Sequence, residues 1–515
     1  MQSCKATLRH DTLIIANEYI ARTFLWNGGN LITVNLWDKK NNQTWNWIDN
    51  NPDVSLPGHA KVEGKGSFEV RSVINQPNQS NHLEISVIAK LGLLDLKRVF
   101  QIYPNVAAIT CTFYLRGKAD EEWHQSIKKS WVTTDFKNIE SQKNLNTADP
   151  GVPVMDKLSL AGNHWQLRPV EFFDMTDRTN TLVKETTYNV YTLPGLIIGN
   201  LLLIKDLISD YSFFVLKESP SSQVQLANPG FDFLAKKGSI QTVGMGILPT
   251  DLRGIEWTIG YGYTLGLGNK TQLELLKTLR SYQDAKRQRK ADRVEMLMMN
   301  TWGDRNRDMR VSEKFILSEL KKAAELGITH YQIDDGWQSG RPVNSAFGGG
   351  RREGIWDNKS YWLPDSLRYP NGLKTVVAEA RRNKIELGLW FSPSLDSNFK
   401  HWEKDANVLI GLNHKHGIKT FKIDMIQIHE KAAEENFRKL IDTVLKATNY
   451  TVTFNMDVTA GRRNGYHFFN EYVSLFLENR YTDWVNYYPY CTLRNLWSLS
   501  RYLPAQKRSS ISIAN

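Results

Sequence analysis

The stretch SEKFILSELKKAAELGITHYQIDDGW, residues 312–337, decides the fold. Ser312 stands where an N-cap side chain accepts from the free N–H groups of a first helical turn, and Gly327 where a helix can end in left-handed backbone. Directly behind the glycine comes an apolar run of strand length that ends on Asp334 and Asp335. The same alternation continues on both sides. EMLMMNTWGD (295–304) reads as the preceding strand, and a helix beginning at Leu373 leads to the strand IELGLWFSP (385–393). A helix to about His416 precedes the strand IKTFKIDM (418–425), and the helix EKAAEENFRKLIDTVLKA (430–447) precedes YTVTFNMD (450–457) and VSLFLENR (473–480). Strand and helix in this rhythm form parallel βαβ units. Six such strands suit a (β/α)8 TIM-type barrel better than an open doubly wound sheet, because no glycine-rich dinucleotide loop follows the first. After the helical stretch CTLRNLWSLSRYL (491–503) only PAQKRSSISIAN follows, so the barrel is expected to be truncated near strand 7.

Upstream the rhythm is different. HLEISVIAKL (82–91), LKRVFQIYP (96–104) and AAITCTFYLRG (107–117) alternate apolar and polar residues, with breakers such as Asn75–Asn78 and Asn228–Gly230 between such runs. Period two with frequent turns means antiparallel sheet, and its extent points to a large β-sandwich. The expected organisation is a β-sandwich domain over 1–268, a helical linker over 269–293 and a catalytic (β/α) barrel over 294–515 with its C-terminal part missing.

Composition narrows the function classes. A chain of 515 residues exceeds one hydrophobic core, and 41% hydrophobic with 23% charged residues is ordinary for a globular protein. The net charge of +11 invites a nucleic-acid reading, but the densest basic cluster, Lys286, Arg287, Arg289, Lys290 and Arg293, follows the amphipathic stretch Leu273–Leu279. It reads as the solvated face of a connecting helix, so no nucleic-acid partner is expected. Cys4, Cys111 and Cys491 are scattered and odd in number, which indicates neither a disulfide framework nor a zinc site. No apolar run approaches the length of a membrane span. The N-terminus MQSCKATLRHDTLIIANEY carries charges where a signal peptide needs its apolar run, leaving a cytoplasmic chain or one exported after loss of a signal. A homo-oligomer is compatible with either.

In a barrel the chemistry sits at the C-terminal ends of the strands. Those ends carry Trp302 and Asp304, Asp334 and Asp335, Trp390, Lys422 and Asp424, Asn455 and Asp457, then Glu478 and Arg480. Any one of them could cap a helix or close a loop. Charged residues at the end of nearly every strand indicate a functional rim. Two carboxylates flanking a bond are the minimum equipment for glycoside hydrolysis. Lys422, two residues before Asp424, points to the same rim and favours an ionised nucleophile. Glu478 follows the apolar run Leu475, Phe476 and Leu477, which suits a general acid, whereas Arg480 acts in the opposite direction. A rival reading makes Asp334, Asp335, Asp424 and Glu478 oxygen ligands of a divalent metal, but Lys422 would repel the cation. No metal or organic cofactor is expected.

At these residues the chain resembles the melibiase-type α-galactosidases, glycoside hydrolase family 36 and its relatives. NTWGDR (300–305), QIDDGW (332–337), RYPNGL (368–373), LGLWFSP (387–393) and FKIDM (421–425) are similar, in order, to the family's barrel motifs. The resemblance implies a β-sandwich before the barrel, Asp424 as nucleophile, and Lys422, Asp334 and Asp335 as ligands of sugar hydroxyls. It implies that Trp302 and Trp390 line the subsite, although each could simply be packing. FLENRYTDW (476–484) takes the place of the family's acid/base segment, with Glu478 favoured and Asp483 as the alternative acid. The chain departs from the pattern at Ser392, where the family has Glu, and at Ile426, where it has Asn. NMDVTAGRR (455–463) replaces a Cys- and Gly-rich segment, in which only Gly461 and Arg462 keep the pattern. Arg462 is carried over as a substrate ligand, while Asn455 and Asp457 are either replacement sugar ligands or helix caps.

The function implied is hydrolysis of terminal α-galactosides or related α-glycosides with retention, through a covalent glycosyl-enzyme. Two alternatives stay open: a carbohydrate-binding protein with an incomplete barrel and no turnover, and a transglycosylase that passes the galactosyl group to a sugar acceptor. In each case the partner is an oligosaccharide or glycoside.

Overall fold

The computed structural model describes residues 3–47, 50–59, 64–119, 123, 151–173, 182–190, 195–236, 238–287, 296–302, 306–457, 464–477, 489–504 and 508–510. The chain divides into two compact units, Met1–Phe172 with Val183–Gln288, and Phe173–Leu182 with Arg289–Asn515.

Alternation builds the first unit. In the strand His82–Leu91, Leu83, Ile85, Val87, Ala89 and Leu91 are buried, one residue in two, as a half-buried strand requires. This strand pairs antiparallel with Leu94–Ile102, which pairs with Ala108–Gly117, within a ten-stranded sheet. A five-stranded antiparallel sheet spans residues 5–46, and a four-stranded sheet begins with Val154–Ser159. Phe24 meets Phe100 at 5.6 Å between ring centroids and Trp45 meets Phe213 at 5.3 Å, so the five-stranded sheet packs its face on the ten-stranded one. This is the sandwich packing that the sequence rhythm suggests.

Between the sheets lies a group of charges in phase with the apolar core positions of their strands, Arg22 with Ile20 and Phe24, Arg98 with Leu96 and Phe100. Arg22 is fully buried and forks onto Asp156, with Nη2 donating to Oδ1 at 2.8 Å and Nη1 to Oδ2 at 3.0 Å. Its Nη1 also donates to the Tyr263 hydroxyl, to which Arg98 Nη2 donates as well. Asp53 completes the group, accepting from the Thr33 hydroxyl at 2.7 Å. Arg22, Asp156 and Tyr263 belong to three different sheets, so one guanidinium ties the three together.

The helix Gln272–Lys286, in the stretch read as a linker, packs in this unit with Leu275, Leu279 and Tyr282 buried. Thr271 caps it, accepting from Glu274 N. One sequence reading needs correction here. Lys286 is not on a solvated face: it is buried, with Nζ 3.2 Å from Glu218 Oε2, because the carboxylate and the Tyr282 hydroxyl that bonds to it supply an internal partner.

The second unit is a parallel sheet with helices between its strands. In order these are β1 (Met298–Asn300), α1 (Glu313–Glu325), β2 (His330–Ile333), α2 (Lys374–Arg382), β3 (Glu386–Phe391), α3 (Trp402–His416), β4 (Thr420–Ile423), α4 (Lys431–Ala447), β5 (Thr453–Asp457), β6 (Val473–Leu477), α5 (Pro489–Ser500) and β7 (Arg508–Ser510). The strands lie side by side in sequence order, each pair parallel. Among the described residues β1 and β7 end the sheet, which is thus part of a barrel wall rather than the closed eight-stranded ring. Ser312 and Gly327 act as the sequence suggests: Ser312 Oγ accepts from Phe315 N, and Gly327 adopts φ 72° just beyond α1. In α4, Phe437, Leu440, Ile441 and Val444 form the buried stripe at helical spacing.

Replacing Asp156 by Ala would leave Arg22 buried without its forked partner. Loss of about 3–5 kcal/mol of stability is expected for such a break. Urea unfolding of the full chain, followed by tryptophan fluorescence, measures it.

Candidate active site

Strands β1 to β5 each bring a polar group or an indole to one edge of the sheet. Register sets Trp390 of β3 beside Lys422 of β4, and Lys422 beside Asn455 of β5. Asp424 follows β4 by one residue and is 7% exposed, the most open of the acidic groups here. Both of its oxygens are held: Trp390 Nε1 donates to Oδ2 at 2.9 Å, and Met425 N donates to Oδ1 at 2.5 Å. Met425 pays for that second bond with left-handed backbone, φ 59°, a conformation that costs a non-glycine residue about 1 kcal/mol or more. Trp390 is itself fixed. Trp337 Nε1 donates to its carbonyl at 2.9 Å, and Trp362 stacks on the adjacent Phe391 at 4.3 Å. With 1% exposure Trp390 acts as a locked donor to Asp424 rather than as an open stacking face.

Lys422 is 1% exposed, and its Nζ donates to Asp334 Oδ2 at 3.0 Å and lies 3.9 Å from Asp457 Oδ2. Asp334 also accepts from Asp335 N through Oδ1. Burial pushes the Asp334 carboxyl above the usual carboxylate range, opposed by the Lys422 ammonium and reinforced by the charge of Asp424. Asp335 is pushed up further. Burial is again the largest cause, the Gln338 bond opposes it, and the charges of Asp308, Asp334 and Asp424 add to it. Gln338 Nε2 donates to Asp335 Oδ1 at 2.7 Å, while Oδ2 is buried with no hydrogen-bond partner among the described residues. An acceptor in that state is costly and open to a donor from a ligand.

The glycine of the DDGW segment is required. Gly336 adopts φ 110°, and a Cβ there would meet Asp308 Cβ at 2.9 Å and Val311 Cβ at 3.0 Å. Asp308, which the sequence reading missed, organises the loop beyond β2. It accepts from Ser345 Oγ at 2.7 Å and Ala346 N at 2.6 Å, both more than thirty residues downstream. No local pattern marks such a contact. Gln338 was more accessible, since it lies three residues after Asp335 in the same turn.

The remaining candidates divide. Trp302 is buried, its backbone N donating to Asn300 Oδ1. Asn455 is fully buried and directs its amide nitrogen to Gln332 Oε1 at 3.4 Å and Met298 Sδ at 3.9 Å, partners on β2 and β1 beneath the rim. Asp304, Arg462, Glu478, Arg480 and Asp483 lie outside the described residues.

Residues 263–456 match the sequence model of the Melibiase family. An α-galactosidase of Escherichia coli is 32% identical over 81 residues, 16% of this chain and 10% of that protein. The α-galactosidase AgaA of Geobacillus stearothermophilus is 28% identical over 106 residues, 21% of this chain and 13% of its own length. The aligned segments therefore span only about a tenth of these relatives. Likeness of fold reaches further. A variant of the same family 36 enzyme, in complex with raffinose, superposes with a TM-score of 0.64 over 97% of this chain and 78% of that one, at 12% identity. The α-galactosidase of Lactobacillus brevis gives 0.60 over 96% and 76%, at 11% identity.

The electrostatics of Asp335 give a test independent of any ligand. A carboxyl whose folded-state pKa exceeds its unfolded value binds protons more readily when folded, so it costs stability as pH rises through that interval. Asp335→Asn should therefore stabilise the chain at pH 7, on the order of 1 kcal/mol. The gain should fade as pH falls through about 4 and be gone by about pH 3, where the carboxyl is protonated in both states. Thermal unfolding of both proteins at several pH values checks the sign.

Proposed function

We propose, with the melibiase-type sequence of residues 263–456 as the premise, that this chain hydrolyses terminal α-galactosides or related α-glycosides with retention. The observation that carries this reading is Asp424, with both oxygens held by donors beside two buried carboxylates, Asp334 and Asp457, that share Lys422. Two N–H donors stabilise the ionised carboxylate and fix its direction, as attack on an anomeric carbon requires. Asp424 then forms the bond to that carbon as the glycosidic C–O bond breaks. Glu478, or Asp483 in its place, gives a proton to the departing oxygen and later takes one from the water that releases the sugar. In a retaining pair the acid and the nucleophile stand roughly 5–5.5 Å apart.

Asp334 and Asp335 receive the sugar's hydroxyls. Whether Asp335 is protonated or not, its buried Oδ2 can bond to a hydroxyl, which acts as donor or acceptor. Lys422 and Asp457 complete the polar wall, Trp302 stands beside it and Asn455 supports it from beneath, while Arg462 is proposed as a further substrate ligand on the resemblance alone. α-Galactosyl oligosaccharides of the raffinose type, held by the Geobacillus relative, are the proposed substrate class. Passage of the galactosyl group to a sugar acceptor would differ only in what replaces the water.

Asp424→Ala should lower kcat/KM on an aryl α-galactoside on the order of 10⁴-fold or more. Added azide should restore turnover of the variant and yield the β-galactosyl azide, with inverted configuration. Activity of Asp424→Ala within about tenfold of wild type would exclude this residue as nucleophile. Galactoside binding by wild type without turnover would leave a binding protein.

A further inference from the structure

Beyond the rim, the loops after β2, β3 and β4 enclose a cavity of about 600 Å³, in the size range of small-molecule sites. Arg351, Arg352 and Glu353 line it from the first loop, Asn398 from the second, and Gln427 and His429 from the third. Gln427 stands three residues after Asp424, a span of at most about 11 Å of chain. The cavity is therefore a continuation of the same face, and among the described residues none of the proposed hydrolytic centre lines it.

Among the described residues its lining holds two guanidinium groups, Arg351 and Arg352, and one carboxylate, Glu353. Arg351 reaches Asp357 only at 3.9 Å, in a pair where both side chains are more than half exposed, and such pairs neutralise little. Arg352 Nε is buried with no hydrogen-bond partner among the described residues. A buried guanidinium N–H in that state is a donor awaiting an acceptor. The walls that present it are held firmly. Asp396 accepts from Gly354 N at 2.8 Å and Ser394 Oγ at 2.6 Å, and Asp405 accepts from Ser394 N and Trp356 Nε1, both at 3.0 Å. These bonds tie the arginine-bearing loop to the loop after β3. In that second loop Ser397, Asn398 and Phe399 are all left-handed, with φ 42°, 63° and 57°, an arrangement that L-residues adopt only under constraint. Asn398 Nδ2 donates to Glu430 Oε2 at 2.6 Å and its carbonyl accepts from Asn436, which holds the strained turn and occupies the nearby Glu430.

We propose that this cavity binds an anionic group, a phosphate or a carboxylate, carried on the part of the glycoside beyond the scissile bond, with Arg352 as principal ligand. The planar guanidinium matches two oxygens of either anion, and Arg351 and His429 add donors beside it. A neutral sugar would offer Arg352 Nε no charge-assisted partner. The proposal rests on the hydrolase reading for the placement of its substrate, but not for the anion site itself.

The test compares p-carboxyphenyl, p-phosphonophenyl and neutral p-carboxamidophenyl α-galactosides on the full chain, wild type and Arg352→Ala. The variant should lose roughly 10- to 100-fold in kcat/KM on the charged substrates and stay within about twofold on the neutral one. Arg352→Lys should recover part of the loss. The carboxylate and phosphonate arms show which anion is preferred. An equal effect on charged and neutral substrates, or none on either, overturns the proposal. If no galactoside is turned over, the hydrolase reading fails, and calorimetry with inorganic phosphate and benzoate decides the cavity alone. Binding of either anion by wild type and not by Arg352→Ala supports the site, and absence of binding overturns it.

Discussion

An ammonium group buried at a strand end persists only among carboxylates, and carboxylates crowd together in a buried place only around a cation. Lys422 and Asp334, 3.0 Å apart and both almost fully buried, satisfy each other in this way. The lysine does not balance the whole group, however. Among the described residues Asp334, Asp335, Asp424 and Asp457 gather about this lysine, and burial, reinforced by the neighbouring carboxylate charges, pushes the carboxyls of Asp334 and Asp335 upward. A site rich in acceptors, with Asp335 Oδ2 unpartnered among the described residues, is suited to a neutral ligand rich in hydroxyl donors. The same imbalance costs stability, as functional sites commonly do. Two loops then depend on this arrangement: Asp308 folds the loop after β2 over Asp335, and Trp390 fixes Asp424 from the neighbouring strand.

Much of this was legible in the sequence because strand periodicity and rim position are local properties. The Ser312 cap, the Gly327 stop and the alternation of His82–Leu91 follow from residue chemistry alone. Asp334, Asp335, Lys422 and Asp424 were found by asking which side chains end an apolar strand. What local reasoning could not supply is depth and distant partnership. Asn455 ends a strand as Lys422 does, yet its amide is bonded to Gln332 below the rim. Asp308 lies outside any strand end and gains its role from residues far along the chain. In the first unit alternation sets Arg22 in phase with Ile20 and Phe24, and Arg98 in phase with Leu96 and Phe100, but it cannot foresee the carboxylates that arrive from other strands to pair them. Lys286 deceived for the same reason.

The departures from the family pattern gain a physical context in the loop after β3. Where the resemblance leads one to expect a Glu at position 392, Ser392 stands instead, and the following Asp396 accepts from Gly354 of the loop after β2 and from Ser394 in its own loop. Ile426 is buried, so that position contributes packing beneath the loop after β4 rather than a polar ligand. The polar groups of these loops are thus directed to the walls of the arginine-lined cavity. Lys422 and Asp424 keep the pattern.

The most direct measurement is covalent trapping. The full chain is incubated with a fluorinated α-galactosyl fluoride that glycosylates an enzyme but leaves it slowly, then digested and read by mass spectrometry. One galactosyl label on the peptide that contains Asp424 is the expected result. A label on another carboxylate, or steady turnover of the reagent with no labelled peptide, would contradict the assignment of Asp424 as the attacking group.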